Sequence, residues 1–569
     1  MKKYFLYILL NSITLHLFGK VVDTDLRERV YVQTDKNLYL AGESVLMKFL
    51  TTDHEQIPLV FSKVAYAELV ADSLALLQIK VEMTNGTGAG LMQLPADLNT
   101  GYYRLIAYTQ FMRNEGADVF FEKNIAVLNT FQSGYYPTEV DEFFLHDAQL
   151  SFEENDSSSL SLYHGTTYAR RERGELLITG LPENIYTLSV SIVGKEIIPV
   201  TESNVSLFNK TKNKKSTEFT DDFAPEYEGH IITGAIINNQ TERVEINDSL
   251  LSPNDPLLLP ALSFPGEGIR FFAGQKSETG DVRFFTLGSS GTKEIAVSVY
   301  LADEKYRIEV KSPYISQFVY RQMPTLHIDS VYYGQLLARS VALQVFHYFS
   351  DDPSENTNIS EAYLKMKPTF SYLLEDYTQF RTMQEVFVEI IAGVRFNRQG
   401  IKRGIQVFTK SGSDYIYGTT PLVFLDGVPV LEHDAIFNYD PLSVEKINVY
   451  YGPYTLGGYM FDGILELITY RGLYQNLNLN RATQVLSYEG PQSSFIFNSP
   501  DYSDENNRGS RMPDRRHTLL WNPDVKTDGK NPIRVHFDTS DLIGEFQTVV
   551  EGITKDGKII FVTSCFKVE

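Results

Sequence analysis

The chain is 569 residues long, which is more than one hydrophobic core can fill and predicts several domains. Its 35 Tyr and 36 Phe against a single Trp favour strand-rich, half-buried surfaces over helical bundles. The formal net charge of -21 would repel nucleic acid phosphates and anionic lipid, so nucleic acid is excluded as a partner. The same acidic excess also fits a plain solubility role.

The N-terminus has the features of a secretory signal. Lys2 and Lys3 precede an apolar run that reaches Phe18 and ends at Gly19, the order expected of a signal peptide. An uncleaved anchor is the alternative, but polar residues interrupt a run already shorter than the roughly 20 residues that span a bilayer. We expect residues 1–19 to be a signal peptide. The protein is then exported to the periplasm, the outer membrane or the cell surface, and any membrane association comes through protein partners.

The chain contains one cysteine, Cys565. It cannot form an internal disulfide or a thiolate zinc cluster, and no cysteine near the signal is available for lipid modification. We therefore expect an exported fold that is held by packing alone.

Residues 24–130 predict a β-sandwich. The segment "RVYVQTDKNLYLAGESVLMKFL" alternates apolar and polar residues on both sides of a turn at Ala41-Gly42. Further short strands follow at intervals of roughly ten residues, which is typical of sandwiches.

Two motifs in this region, "YVQTDKNLYLAGESV" and "GTGAGLMQLPADLNTGYYRLIAYT", resemble the macroglobulin-type domain of the alpha-2-macroglobulin superfamily. That family usually has Pro-Gly where this chain has Ala41-Gly42. We assign structural roles in these motifs to Asp35, Gly42 and Gly101. The superfamily includes covalent protease traps that need a Cys-Gly-Glu-Gln thioester. This chain lacks that motif, so the trap chemistry does not carry over.

The middle of the chain predicts three further segments. Residues 131–220 form a second β module with a polar linker, and residues 225–320 form a β-sandwich similar to carboxypeptidase-regulatory-like modules, with a turn at "SETGDV". In residues 321–385 the apolar residues recur every three or four positions, which predicts a helical connection.

Residues 386–473 predict a compact α+β domain. The blocks "LVFLDGVPV", "DPLSVEKINVYYGP" and "FDGILELITYRG" resemble the plug domain of TonB-dependent outer-membrane receptors. We interpret Asp426-Gly427 as a tight turn and give Gly452 and Gly463 structural roles. The resemblance implies a 22-stranded barrel, but the roughly 100 residues after Gly472 are too few for one. The plug fold is then expected to serve protein contact.

Residues 474–569 alternate strands and turns and predict a closing β-sandwich. Trp521, the only tryptophan, lies at a strand position and is expected to fill the core of that sandwich.

No motif for catalysis or for a cofactor is found. The ten His residues show no metal-ligand spacing, and there is no Gly-x-Ser-x-Gly elbow. The segment "GITKDGKI" nearly matches a phosphate-binding loop, but Ile559 stands where Ser or Thr must bind magnesium. We interpret Asp556-Gly557 as a hairpin turn. No residue is assigned to catalysis, to a cofactor or to a metal.

The sequence therefore predicts a mainly β, multi-domain protein with tandem macroglobulin- or Ig-like sandwiches and one small α+β plug-like domain. The favoured function is a non-enzymatic binding or scaffold protein of the bacterial outer-membrane envelope, an accessory subunit of a transport, secretion or assembly complex. Its partners are expected to be periplasmic or outer-membrane proteins, including a β-barrel complex. The alternatives are a non-covalent protease-binding macroglobulin-like protein and an enzyme with a site between domains.

Overall fold

The computed structural model describes two compact units, and strands and helices are numbered here in chain order. The first unit comprises Met1–Tyr227, Ser316–Thr357 and Ser493–Glu569, and the second comprises Glu228–Ile315 and Asn358–Gln492. The expected signal peptide lies outside the described residues, which are 26–132, 160–195, 203–244, 259–300, 305–349 and 367–569, except for 213, 215–218, 267, 278–279, 287, 327, 329, 400–401, 457–458, 473, 475–481 and 494. The predicted mainly β, multi-domain fold is confirmed.

The first sandwich of unit 1 pairs a three-stranded sheet, β1-β3-β6, with a five-stranded sheet, β2-β8-β7-β4-β5. Every residue of β1 is buried, so this strand is covered on both faces. The strands are β1 (Glu28–Thr34), β2 (Leu38–Leu40), β3 (Ser44–Asp53), β4 (Val64–Ala71), β5 (Leu74–Glu82), β6 (Thr87–Gln93), β7 (Gly101–Tyr108) and β8 (Phe121–Leu128), with 3-10 turns at Phe111–Glu115 and Ala117–Val119.

A second sandwich of unit 1 is built from two distant parts of the chain. Its sheets are β10-β33-β32-β12-β30 and β31-β11-β9. The elements are β9 (Ser161–Tyr163), β10 (Thr167–Tyr168), β11 (Arg173–Thr179), β12 (Ile185–Gly194), α1 (Asn204–Lys212), α5 (Glu505–Arg508), β30 (Thr518–Asn522), β31 (Ile533–Asp538), β32 (Gly544–Thr554) and β33 (Ile559–Val568).

This arrangement corrects the predicted separation of residues 131–220 from residues 474–569. β12 pairs antiparallel with both β30 and β32, and β11 pairs antiparallel with β31. One buried core joins Leu176 and Val190 with Val535 and Val550. Neither segment has enough strands to cover its own apolar face, so each completes the other.

The position predicted for Trp521 was also wrong. Trp521 is 1% exposed, but its cross-strand partner in β12 is Ser191, whereas Ile192 pairs with Leu520. Cross-strand partners share a face of the sheet. Ile192 belongs to the sandwich core, so Trp521 lies on the opposite face, the one from which Ser189 donates a 2.6 Å hydrogen bond to Gln33 of β1.

The helical segment of unit 1 packs on the first sandwich. Helix α2 (Tyr333–Phe349) follows a 3-10 turn at Ser330–Tyr332, and its Leu336 lies in one apolar cluster with Leu38 and Leu128. No helix among the described residues is both long and apolar enough to cross a membrane.

The sandwich of unit 2 has a shared core between two sheets, in which Ile236 and Phe284 pack with Leu262 and Val297. The sheets are β14-β13-β18-β17, with β20 also on β13, and β16-β15-β19-β29. The strands are β13 (Ile231–Asn238), β14 (Arg243–Val244), β15 (Leu259–Ser263), β16 (Phe271–Ala273), β17 (Gln275–Lys276), β18 (Asp281–Phe285), β19 (Thr292–Tyr300), β20 (Tyr306–Val310) and β29 (Thr483–Glu489).

The α+β part of unit 2 contains an eight-stranded sheet with the order β22-β23-β27-β28-β25-β26, in which β21 also pairs with β27 and β24 with β23. A capping box formed by Thr382 and Glu385 begins α3. The elements are β21 (Phe370–Leu373), α3 (Met383–Glu389), β22 (Val394–Gln399), β23 (Lys402–Ser411), β24 (Asp414–Gly418), β25 (Leu422–Leu425), β26 (Val428–Pro429), α4 (Asp434–Phe437), β27 (Val444–Leu456) and β28 (Tyr459–Thr469), with 3-10 turns at Leu374–Asp376 and Pro441–Ser443.

Three predicted domain assignments in unit 2 are corrected. Phe271 of the sandwich packs with Phe424 and Phe461 of the α+β part, so the two predicted domains share a core. Residues 370–373, predicted as part of a helical connection, form β21 and pair with β27. β29, predicted as part of the closing sandwich, pairs with β19 instead.

The pairing of β11 with β31 in the second sandwich predicts the effect of adding a methyl group at Gly174. A Cβ at this position would lie 2.4 Å from Cζ of Phe537, its cross-strand partner in β31. We expect Gly174→Ala to destabilise the protein by about 1–3 kcal/mol, and Phe537→Leu in the same chain to recover part of the loss. Urea unfolding followed by Trp521 fluorescence measures both effects.

Gly101→Ala is the matched control, because a Cβ at Gly101 would have no neighbouring atom within 4 Å. If Gly174→Ala shifts the unfolding curve no more than Gly101→Ala does, β11 and β31 are not paired as described.

Candidate binding site

A cavity of about 130 Å³ opens in unit 1 between the first sandwich, helix α2 and the segments on either side of α5. Five separate stretches of the chain contribute to its wall. The lining residues are Asp35, Lys36, Gly42, Glu43, Ser44, Leu46, Leu91, Arg339, Ala342, Leu343, Phe495, Phe497, Asn498, Arg515, Arg516, His517 and Thr518.

A buried group of paired charges forms one side of the cavity. Arg339 binds Glu43 through two hydrogen bonds, of 2.9 Å from Nε and 2.7 Å from a terminal nitrogen. Lys36 Nζ donates to the same carboxylate at 2.9 Å. Burial alone would raise the pKa of Glu43, but the charges of Arg339 and Lys36 outweigh it and hold that pKa well below its usual 4.5. The carboxylate therefore remains ionised between its two cations.

The local sequence explains why these groups converge. Gly42 has a φ of 94°, a left-handed conformation that suits glycine, in the turn from β2 to β3. Glu43, the next residue, accepts from the backbone N–H of Leu40 at 3.2 Å. Arg339 approaches from α2 and also donates to the carbonyl of Leu38 at 2.9 Å. The turn and the helix are thus joined through one carboxylate.

Asp35 lies beside the paired charges of Glu43, Arg339 and Lys36, and two hydroxyl groups and one backbone N–H donate to it. Its carboxylate accepts from Tyr39 Oη at 2.7 Å, from Leu46 N at 3.2 Å and from Thr518 Oγ1 at 3.1 Å. Burial raises the pKa of Asp35. Since Thr518 begins β30, Asp35 links the first sandwich to the second.

His517 is the ionisable group of the cavity that most resembles a catalytic base. Burial, reinforced by the positive charges of Arg339 and Lys36, holds the pKa of His517 well below its usual 6.5, so the imidazole is neutral near pH 7. Its Nδ1 is buried and has no hydrogen-bond partner among the described residues. The ring lies close to Gly194, where a Cβ would be 2.5 Å from Nε2. A nucleophile paired with a base, as acyl transfer requires, is not formed here.

The opposite side of the cavity is apolar. Leu46 and Leu91 come from neighbouring strands of the first sandwich, Leu343 comes from α2, and Phe495 and Phe497 are partly exposed. Arg515, which is exposed, also lines the cavity. Apolar walls with a few fixed polar groups are typical of binding pockets. Among the residues that the structure describes, no three His, Cys, Asp or Glu side chains are grouped to hold a metal.

Two of the residues singled out in the sequence, Asp35 and Gly42, lie in the wall of this cavity. Gly101 is the first residue of β7. Trp521 is in β30, three residues beyond Thr518. The motif of the first sandwich thus supplies part of the site, although its sequence pattern indicated only structural roles for those residues.

The other four lie in unit 2. Asp426 and Gly427, with φ values of 48° and 77°, form the turn between β25 and β26. The carboxylate of Asp426 accepts two hydrogen bonds of 2.7 Å from Thr469. Gly452 and Gly463 lie at close approaches in the sheet, where a Cβ would be 2.2 Å from Asp462 O and 2.6 Å from Val407 Cγ1 respectively.

The sequence did not reveal Arg339, His517 or the two Phe residues as parts of one site. One signal was available: Arg339 is the only Asp, Glu, Lys or Arg in the 17 residues of α2. A lone charge in an otherwise uncharged helix indicates a partner in the folded protein.

No protein-family model matches the chain, and no curated protein sequence matches it. Among solved structures, Salmonella alpha-2-macroglobulin reacted with methylamine is 9% identical, with 95% of this chain and 39% of that chain covered and a TM-score of 0.23. Escherichia coli alpha-2-macroglobulin activated by porcine elastase is 10% identical, with 95% and 44% covered and a TM-score of 0.24.

The Escherichia coli adhesin FdeC is 11% identical, with 54% of this chain and 66% of that chain covered and a TM-score of 0.14. This chain spans about two fifths of the length of the alpha-2-macroglobulins it matches. TM-scores this low do not define a common fold between this chain and those proteins.

The paired charges predict a pH-dependent loss of stability in Glu43→Gln. The substitution leaves Arg339 and Lys36 buried without their carboxylate, and we expect it to cost about 3–5 kcal/mol near neutral pH. Since the pKa of Glu43 is lowered by folding, its contribution is present above pH 4.5 and is lost as the pH falls toward the folded-state pKa. The difference between the two proteins should therefore be constant above pH 4.5 and shrink below it.

Urea unfolding at a series of pH values measures this difference. Glu545→Gln is the matched control, because Glu545 pairs with Lys195 while both side chains are more than half exposed, and such pairs contribute little. Equal losses from the two substitutions would contradict the role given to Glu43.

Proposed function

We propose that this chain is a non-enzymatic binding and scaffold protein of the bacterial outer-membrane envelope. It serves as an accessory subunit of an outer-membrane transport, secretion or assembly complex. The observation that carries the proposal is the cavity of unit 1, in which Glu43 is already paired with Lys36 and Arg339 and much of the remaining wall is apolar. Such a site holds a ligand without offering it a reactive group.

The size of the cavity fits one apolar side chain of a partner. An engineered apolar cavity of about 150 Å³ takes up benzene, and the cavity described here is about 130 Å³. A Phe or Leu of a partner therefore fits. Export and location in the periplasm or outer membrane are part of the proposal, supported by the signal-like residues 1–19 and by the macroglobulin-type and plug-like motifs in the sequence.

Non-covalent binding of proteases is the second candidate. It is favoured by the macroglobulin-type motif, whose Asp35 and Gly42 line the cavity. Both candidates require a protein partner, and the identity of that partner separates them.

Filling the cavity should release the partner. We expect Leu91→Trp, which places a larger ring in the cavity, to lower the recovery of partner proteins from detergent-solubilised native envelopes by at least about tenfold, as loss of one buried anchor residue does. Quantitative mass spectrometry of the captured proteins measures this. Leu76→Trp, at a position 45% exposed on β5, is the matched control and should recover the partner fully.

The outcome also decides between the candidates. A membrane or secretion protein that is lost with Leu91→Trp supports the scaffold function, and a peptidase lost in the same way supports protease binding. Recovery of the same proteins by both variants, or of the monomer alone by the unsubstituted protein, removes the cavity as the binding site.

A further inference from the structure

Strand β24 lies at an open edge in unit 2. Together with β23 it forms a hairpin closed by the pair Ser411 and Asp414, with Gly412 at a φ of 65° as the first of two turn residues, as in a type II′ turn. β23 is the only strand that pairs with β24 in the part of the chain that the structure describes. Among the described residues, no group is hydrogen-bonded to the other edge of β24.

The hairpin geometry identifies which backbone groups these are. The closing pair of a two-residue hairpin exchanges both of its hydrogen bonds, and hydrogen-bonded pairs alternate along an antiparallel ladder. Ile416, two residues beyond Asp414, therefore bonds to its partner Thr409. The N–H and C=O groups of Tyr415 and Tyr417 consequently point away from β23.

Among the described residues this edge has no Lys, Pro or bulge, and its one charged residue is Asp414 at the start of the strand. Natural edge strands are guarded by Lys, Pro, bulges or a covering loop. β24 reads Asp-Tyr-Ile-Tyr-Gly, and Tyr415 and Ile416 are 55% and 51% exposed. Aromatic and β-branched residues at this density favour strand pairing.

The same hairpin contributes to a connected group of aromatic rings, here called the aromatic patch. Tyr451 lies at its centre, with ring centroids 5.3 Å from Phe408, 5.6 Å from Phe370 and 5.8 Å from Tyr415. Phe370 and Tyr415 are each more than two fifths exposed. The members are Phe370, Tyr372, Tyr377, Phe408, Tyr415, Tyr417 and Tyr451. Exposed aromatic groups of this kind are enriched where proteins meet.

The local charge is opposite to that of the whole chain. Residues 390–418, which include β24, contain Arg395, Arg398, Lys402, Arg403 and Lys410 against one acidic residue, Asp414, whereas the whole chain carries a formal charge of -21. The guanidinium carbon of Arg395 lies 3.9 Å from the centroid of the Tyr417 ring. Lys410 is exposed and is the cross-strand partner of Tyr415. A ligand that carries negative charge complements this hairpin.

We propose that β24 and the aromatic patch bind an extended, acidic peptide segment of a protein partner, which adds to the sheet as a strand beside β24. Backbone hydrogen bonds to Tyr415 and Tyr417 supply the pairing, and alternate side chains of the peptide reach the aromatic patch. The acidic side chains of the peptide belong to that same alternate set, because Lys410, the cross-strand partner of Tyr415, lies on the face of the aromatic patch. This surface belongs to unit 2 and is separate from the cavity of unit 1.

The experiment uses the full-length chain and a synthetic probe, Ac-Thr-Glu-Thr-Phe-Thr-Glu-Thr-NH2, in which Glu and Phe lie on one face of the extended peptide. Hydrogen exchange followed by mass spectrometry should show slower exchange over residues 414–418 when the probe is present, and the effect should weaken as salt is added. The same peptide with Lys in place of Glu should produce no protection. Equal protection by both peptides, or protection by neither at about 1 mM, overturns the proposal.

Two variants separate strand pairing from ring contact. Tyr415→Pro removes an outward N–H and should weaken binding of the probe by at least about tenfold, whereas Tyr415→Thr keeps that N–H and should weaken it less. Unchanged exchange at Thr409 verifies that the hairpin is intact. If Tyr415→Pro also disturbs Thr409, Lys410→Gln tests the charge alone and should weaken binding about two- to tenfold. Equal affinities for Lys410→Gln and the unsubstituted protein would then contradict the proposal.

Two further measurements test the class of ligand and the independence of the two surfaces. Maltohexaose, a neutral oligosaccharide, should leave exchange over residues 414–418 unchanged, and protection by this sugar without protection by the acidic peptide overturns the proposal in favour of a glycan surface. Leu91→Trp should bind the probe as the unsubstituted protein does, so the outcome at β24 is independent of the outcome at the cavity.

Discussion

The antiparallel pairing of β12 with β32 is the interaction on which unit 1 depends. It runs from Ile185 opposite Thr554 to Gly194 opposite Phe546 and closes a loop of several hundred residues. Loop closure on that scale costs about 5 kcal/mol of chain entropy, and a core in which Leu188 and Ile192 pack with Phe546 and Val550 offsets it. The other edge of β12 then binds β30. His517 and Thr518 reach the cavity only because this pairing has formed.

The outer face of the same sheet is joined to the first sandwich by buried polar contacts. Lys48 Nζ donates to Thr187 Oγ1 at 2.8 Å, and Tyr31 Oη donates to Glu551 at 2.5 Å. Burial lowers the pKa of Lys48 to about 8 and raises that of Glu551. Polar groups in such surroundings are costly unless they keep their partners, so these contacts fix the register between the two sandwiches more strictly than apolar packing would. The same fixed register determines where the walls of the cavity lie.

Local pattern was sufficient to predict the strands but not their partners. Alternation in residues 29–50 indicated strands there, but the first of the two predicted strands is divided into β1 and β2, which lie in different sheets. The apolar spacing in "YYGQLLARSVALQVFHYF" correctly indicated α2, because that signal lies within one element. Alternation also says which residues share a face, yet it cannot say which strand covers that face. The segment that contains β12 and the segment that contains β32 were therefore assigned to separate domains. Trp521 was placed in the wrong layer for the same reason.

The cavity could not be predicted from local pattern, because its residues come from five stretches that only the fold brings together. The ionisable side chains on the polar side, Glu43, Arg339 and Lys36, satisfy one another, and the neutral His517 has no hydroxyl or thiol nucleophile bound to it among the described residues. A catalytic site keeps at least one group poised for proton or electron-pair transfer. The pairing of Glu43 with Arg339 and Lys36, together with the apolar residues of the wall, is what supports the proposed binding role over a catalytic one.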